Sequence, residues 1–399
     1  LPTPAPAPAP APAPLPNLRV GVIVNNEDQM SMEVANRVID ALRLLSGEVT
    51  IFVQIPTTKY TSETFEKVLD EQNFSALINA GAFPEVITTA FYPTPPRLTI
   101  EAIADVCERR NIPCFDTNHG SGLAQTSLTE NKKFFFATAT SLRALFTETL
   151  RRAKSIGSKS ILMVSADLYM PERVQKIVTE MAADYGLTLT HSVHSYMALL
   201  NREPSAWGRL IDTLNVTQQT HNTLLINSVA ALFLPDIYLS VPLNQMYTHI
   251  ILAGTKRVGD AFNVSLSELY NEVEAKNDGA SFAIDTIPDS QTMPRSVALL
   301  RLASASAGSA EGRAIAQHVH TIANAPGEEI GDTPEEVELG IALLRSGKEV
   351  NYEGVDGFNF SGNNESTASR FSIDEYNAAP AAAPAPAPVP APAPAPTPA

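Results

Sequence analysis

From residue 18 to residue 255 the chain alternates between short apolar runs and longer amphipathic stretches. "LRVGVIV" (18–24) is a continuous β-branched run, the pattern of a strand buried on both faces of a parallel sheet. "SMEVANRVIDALRLLSG" (31–47) follows with apolar positions at helical spacing and a glycine stop. The pair then recurs, with strands "VTIFVQI", "SALINAG" and "IPCFDTN" alternating with helices "SETFEKVLDEQ" and "TIEAIADVCERRN". A second series begins after "KFFFATAT". Its helices are "SLRALFTETLRRAKSIG", "PERVQKIVTEMAADYG" (with Pro171 in the first turn), "SAWGRLIDTLN" and "VAALFLPDIYLSV"; its strands are "SILMVSAD", "LTLTHSV", "NTLLINS" and "THIILAGT". Alternation of this kind requires right-handed crossovers and parallel strands with helices on both faces, so two series predict an α/β chain of two doubly wound lobes.

From about residue 290 the pattern turns helical, with "SVALLRLASASAGS", "GRAIAQHVHTIANA" and "TPEEVELGIALLRSG". Thr333 followed by Glu336 reads as a capping box. The stretch "GKEVNYEGVDGFNFSG" (347–362) then reads as a helix end, a Tyr-Glu-Gly turn and a short strand with Phe358 and Phe360 on one face.

Composition changes the picture at the ends. Residues 1–16 and 378–399 are almost pure Pro-Ala, hold 17 of the 31 prolines and carry no charged side chain. Such tails are extended, solvated spacers of polyproline type. The middle of the chain therefore carries the whole net charge of −15, which argues against nucleic acid or an anionic membrane as partner. No apolar run approaches the roughly 20 residues of a membrane span. The two cysteines, Cys107 and Cys114 in "ADVCERRNIPCF", stand at a spacing that could close a small disulfide; two free thiols are the other reading. Five N-x-S/T sequons, at Asn73, Asn215, Asn263, Asn359 and Asn364, lean weakly toward secretion.

The ending "LLRSGKEVNYEGVDGFNFSGNNESTASRFSIDEYN" (343–377), taken with the two α/β series, resembles the type 1 periplasmic binding proteins. Within them it is most similar to the branched-chain amino-acid and amide substrate-binding proteins of ABC transporters. The resemblance is carried by Tyr352, Gly354, Val355, Gly357, Phe360 and the "SGNN" turn, and by "ILMVSADLYMPERVQKIVTEMAADYGL" and "ILAGTKRVGDAF". It implies two Rossmann-like lobes joined by a multi-strand hinge. Lobe 1 would comprise residues 17–136 plus 256–345 and lobe 2 residues 137–255 plus 346–377, between Pro-Ala linkers at 1–16 and 378–399. After Val350 the chain would return to lobe 2 and end as a hairpin beside the hinge.

Doubly wound sheets bind ligands outside the carboxyl ends of their strands. The loops expected there are "NNEDQ", "GAFPE", "DTNHGSG", "ADLYM", "SVAAL" and "GTKRVG". In "DTNHGSG" glycines bring backbone N–H groups close to an anion, and Asn118 or Ser121 adds side-chain donors; a plain Gly-Ser turn is the alternative. The resemblance implies that Gly81, Ala82 and Phe83 join His119, Gly120 and Ser121 around a ligand carboxylate, with Tyr169 and the loop of Ala230 lining the other lobe. At the position where amino-acid binders of the family place an acidic residue stands Lys256, followed by Arg257. A cation cannot neutralise an ammonium, so Asp167, Glu27 or Asp28 takes that role, or the ligand is anionic, amide-like or aromatic; two basic side chains pointing to solvent are the plainer reading.

The resemblance therefore implies a periplasmic or cell-surface solute-binding protein without enzymatic activity or cofactor. Its partners would be a small-molecule ligand (amino acid, amide or small organic anion) and either an ABC transporter permease or a tethered signalling domain. A ligand-free scaffold or receptor ectodomain module is the alternative. A hydrolase ranks below both: G-x-S-x-G, H-E-x-x-H, P-loop and G-x-G-x-x-G patterns are missing, and the seven histidines are scattered.

Overall fold

The computed structural model describes residues 16–26, 29–45, 51–82, 98–117, 131–138, 142–167, 172–227, 237, 246–255, 281–287, 294–324, 326–354, 358–360, 364, 366–368 and 372–376. Strands β1 (Arg19–Val24), β2 (Ile51–Pro56), β3 (Ala76–Asn79), β4 (Cys114–Asp116) and β5 (Phe135–Ala137) form a parallel sheet in the order β2-β1-β3-β4-β5. Alternate side chains fill two cores. Val20, Val22, Val24, Ile78, Phe115 and Phe136 meet Val38 and Leu42 of α1 (Gln29–Leu44) on one face. Ile23, Leu77, Cys114 and Phe135 meet Phe65 and Leu69 of α2 (Ser62–Gln72) and Ile103 and Cys107 of α3 (Ile100–Arg110) on the other. Gly21 lets the second core close: a Cβ there would lie 2.6 Å from Leu77 Cδ2 and 2.9 Å from Ile55 Cδ1.

The second sheet runs β15-β10-β9-β8-β6-β7. It comprises β6 (Ser160–Ala166), β7 (Thr188–His194), β8 (Thr223–Asn227), β9 (His249–Thr255), β10 (Ser281–Ile287) and β15 (Ser372–Tyr376); only β15 is antiparallel to its neighbour. Ile161, Met163 and Leu225 pack on Leu145, Phe146 and Leu150 of α4 (Leu142–Ser155) and on Val174 and Val178 of α5 (Glu172–Asp184). Two further helices, α6 (Tyr196–Leu200) and α7 (Pro204–Thr217), follow β7. The sequence pattern anticipated most of these elements. It missed β5, α6 and β10, each too short or too ordinary in composition to stand out between stronger neighbours.

Helices α8 (Arg295–Ala307), α9 (Gly312–Asn324) and α10 (Pro334–Arg345) complete the first unit. Every residue of α8 from Ser296 to Ser304 is buried, so its one charged member needs a partner: Arg301 donates from Nη2 to Leu45 O at 3.0 Å, just past the end of α1. The capping box is present, with Glu336 N–H donating to Thr333 Oγ1 at 3.2 Å and Thr333 N–H to Glu336 Oε2 at 3.1 Å.

The expected division of the chain moves in two places. Residues 281–287, assigned to lobe 1, form β10 and pair with β9 in the second sheet. Residues 346–354, 358–360, 364 and 366–368, assigned to lobe 2, instead contribute to the first unit. There β12 (Val350–Tyr352) pairs with β11 (Glu328–Ile330), and β13 (Phe358–Phe360) pairs with β14 (Ser366–Ala368). The cause is packing: Val350, Tyr352, Phe358 and Phe360 lie in the same core as β1 and α8, with ring centroids 4.8 Å apart for Phe358–Phe360 and 5.7 Å for Phe360–Phe136. Only β15 returns to the second sheet.

The chain thus crosses between the sheets after β5, after β10 and after β14. Arg295, first residue of α8, joins two of these crossings: Nη1 donates to Thr138 O at 2.8 Å, and its guanidinium lies 4.5 Å from the Phe358 ring centroid. Asn364 fastens the hairpin. Its Nδ2 donates to Lys132 O (2.8 Å) and Phe135 O (3.2 Å), its carbonyl accepts from Ala137 N–H (3.1 Å), and His320 Nε2 bonds its Oδ1. It is buried with φ +55°, so this sequon is closed to a glycan in the folded chain. Asn364→Ala should lower first-unit stability in urea unfolding by about 2–4 kcal/mol, through lost bonds and a left-handed alanine. Asn364→Gly should lose less, because it removes only the bonds. Equal midpoints for wild type and Asn364→Ala would show that the hairpin is held elsewhere.

Candidate functional site

Both sheets wind outward from a switch point, between β1 and β3 in the first and between β6 and β8 in the second. At such points successive crossovers leave in opposite directions and open a crevice beyond the carboxyl ends. In the first sheet that edge is extended past the strands by hydrogen bonds. Thr57 N–H donates to Val24 O (2.8 Å), Ala80 N–H to Ile23 O (2.9 Å), Thr117 N–H to Asn79 O (3.0 Å) and Thr138 N–H to Asp116 O (2.9 Å). The Thr117 and Thr138 hydroxyls each donate to the same carbonyl as their amide, both at 2.7 Å.

Within this edge lies a buried polar pair. Asn79 Nδ2 donates to Asp116 Oδ1 at 2.8 Å and to Ala82 O at 3.0 Å, while Asn79 Oδ1 accepts from Ala82 N–H at 2.8 Å and from Gly81 N–H at 3.3 Å. Both side chains are completely buried. Asn79 therefore wraps the turn that leaves β3 around its own amide, and Asp116 fixes which way that amide faces. Sequence reading passed over this pair. The available signal was a polar residue near the end of each of two otherwise apolar strands, "SALINAG" and "IPCFDTN".

In the second sheet, Asp167 follows β6 and accepts from Tyr196 N–H at 3.0 Å, which places its carboxylate at the first turn of α6. His194 ends β7, and its Nε2 pairs with Ser192 Oγ at 2.6 Å. Burial, with Arg209 nearby adding to it, pulls the His194 pKa below its ordinary value of 6.5; burial lowers those of His191 and His249 too.

Of the residues expected to touch a ligand, Gly81 and Ala82 are described and buried, with their amides turned to Asn79. Phe83, Asn118, His119, Gly120, Ser121, Tyr169, Ala230 and Lys256 lie outside the described residues, as do Glu27, Asp28 and Arg257. Each strand that precedes them is in place. The 118–121 loop leaves β4, Tyr169 follows β6, Ala230 follows β8 and Lys256 follows the last residue of β9, so all depart from carboxyl ends of parallel strands. Among the described residues no group of three or more His, Cys, Asp and Glu is placed to hold a metal ion, and no helix is long and apolar enough to cross a membrane.

No family model and no curated protein matches the sequence. Solved structures do. A solute-binding protein of an ABC transporter from Rhodopseudomonas palustris BisB5, in complex with 3,4-dihydroxybenzoic acid, is 11% identical over 92% of this chain and 98% of its own, with a TM-score of 0.52. A branched-chain amino-acid ABC transporter periplasmic ligand-binding protein from Burkholderia xenovorans LB400 is 10% identical over 90% and 89%, with a TM-score of 0.51. A leucine-binding protein from Thermotoga maritima MSB8 is 13% identical over 90% and 97%, with a TM-score of 0.50. The chain has the α/β fold of the type 1 periplasmic binding proteins, as its closing motif suggested.

Two outcomes follow from the edge itself. Asn79→Ala removes the donor to Asp116 and the acceptor of two amides, and should cost about 2–4 kcal/mol in denaturant unfolding; an unchanged midpoint would mean the pair does not organise the turn. The lowered histidine pKa values mean that below pH 6.5 the unfolded chain binds more protons than the folded one. Their contribution to stability is complete above pH 6.5 and lost as pH falls through the folded values. Melting temperature should fall between pH 7 and pH 5, less steeply in His194→Gln, and identical slopes would remove His194 from the effect.

Proposed function

We propose that this protein is an extracytoplasmic solute-binding protein that holds a small organic acid between the carboxyl edges of its two sheets and performs no chemistry on it. The observation that carries the reading is the pair of switch points, each with its candidate loops leaving carboxyl ends of parallel strands. The fold shared with ABC-transporter binding proteins supports it. Closing about the three crossings would bury the ligand, and the closed form would present it to a permease or a tethered signalling domain.

The ligand's charge is argued from two features. Lys256 stands where an ammonium partner would be acidic, which favours a ligand with a carboxylate and no ammonium. The amides of Gly81 and Ala82 serve Asn79, so the anion falls to the 118–121 loop, through Asn118, Gly120 and Ser121, with His119 beside them. Tyr169 and the Ala230 loop would cover its apolar body. An aromatic acid suits such a site, as in the dihydroxybenzoate-bound structure of the same fold.

Thermal unfolding of the chain against leucine, aliphatic amides, dicarboxylates and hydroxybenzoates tests this reading. A ligand at a hundred times its dissociation constant that binds only the folded chain stabilises it by about 2.7 kcal/mol. The expected result is a shift with an aromatic or other simple acid that Lys256→Met and Ser121→Ala each reduce. Stabilisation by zwitterionic leucine alone would overturn the ligand class; a flat response throughout would favour a ligand-free scaffold.

A further inference from the structure

Cys107 and Cys114, whose spacing left a disulfide and two free thiols both open, are brought together by the fold. Helix α3 stops at Asn111, whose left-handed backbone (φ +55°) turns its N–H onto Cys107 O; the next amide, Ile112 N–H, bonds the same carbonyl at 3.1 Å. Two residues later Cys114 opens β4, with its N–H on Phe134 O at 2.7 Å. The reversal sets Cys114 under the last turns of α3, in the same buried cluster as Cys107, and both stand there as free thiols. Both side chains are wholly buried, among Leu77, Ile103 and Phe135.

Two other uses of the pair fail on what surrounds it. A metal needs a third or fourth ligand, and the described residues supply none in reach. A reactive thiol needs access and a low pKa, whereas burial, then Cys107 itself, pushes the Cys114 thiol well above its usual value.

We infer that Cys107 and Cys114 are a structural disulfide pair, closed during folding and thereby stapling the end of α3 to the start of β4. The step needs an oxidising compartment, so in the cell it rests on the extracytoplasmic reading. With glutathione disulfide as oxidant, one cysteine thiolate attacks a glutathione sulfur and expels one glutathione thiol. The second cysteine thiolate then attacks the protein-bound sulfur and expels the other. One intrachain S–S bond forms, two electrons pass to glutathione, and both protons leave to solvent or thiol. The buried pair reacts slowly once folded, so the bond closes while helix and strand assemble.

The full chain, reduced and unfolded, is refolded in a reduced/oxidised glutathione mixture, then denatured and alkylated. The expected product is a monomer in which neither cysteine is alkylated and the peptides holding residues 107 and 114 are joined. Its melting temperature should fall by roughly 5 °C or more on adding reductant. The double variant Cys107→Ala, Cys114→Ala should ignore reductant. Full alkylation of both cysteines after oxidative refolding, or glutathione adducts alone, would overturn the inference, and the wild-type result decides it even where the variant does not fold. Since no ligand is involved, failure here leaves the binding reading standing; free thiols only in the exported protein would count against the compartment.

Discussion

The constraint on which the rest depends is that buried polar groups must be satisfied where the first sheet ends. Strands β1, β3, β4 and β5 stop at nearly the same level, at the carboxyl edge of the sheet. Asn79 and Asp116 solve this locally, one by wrapping a turn around its amide, the other by orienting that amide. The carbonyls of the same two residues receive Thr117 and Thr138, and the Thr138 carbonyl receives Arg295. A continuous series of hydrogen bonds therefore runs from the turn after β3 to the crossing between the sheets. Rotation about that crossing would begin at residues already tied to the candidate edge.

A second constraint is that neither sheet is finished by its own stretch of chain. The first unit begins at β1, but its core closes only with α8, α9 and the aromatic group of Tyr352, Phe358 and Phe360. The second sheet needs β10 and then β15, which arrive after long excursions. Such interleaving makes the three crossings a consequence of core completion. It also explains the opening of the crossing region to Arg295: a cation there satisfies a carbonyl on one segment and lies over an aromatic ring of another.

Strong periodic elements were legible from sequence, and their chemistry explains why. "SETFEKVLDEQ" was legible by its amphipathic spacing, and "TPEEVELGIALLRSG" by spacing and its Thr333 cap, which the structure holds; Thr61, just before the first, caps in the same way. β10 was missed because "SFAIDTI", with Ser, Asp and Thr among its seven residues, lacks the continuous β-branched run that marked the other buried strands. The assignment of β12, β13 and β14 to the wrong unit has a different origin. Periodicity shows that Phe358 and Phe360 share a face, and that is what the structure holds, but it cannot say against which sheet the face lies. Of the candidate site, loop positions could be placed from strand order alone. The Asn79–Asp116 pair could not, since its meaning lies in a contact between residues 37 apart.

A ligand held between the two sheets engages the carboxyl edges of both. Hydrogen exchange of the full chain, with and without a saturating ligand from the thermal panel, tests it most directly. Exchange should slow in two sets of peptides at once: those spanning residues 79–86 and 116–122, and those spanning 166–170, 228–232 and 254–259. Protection confined to the loops of one sheet, with the other unchanged, would contradict a ligand held between the two.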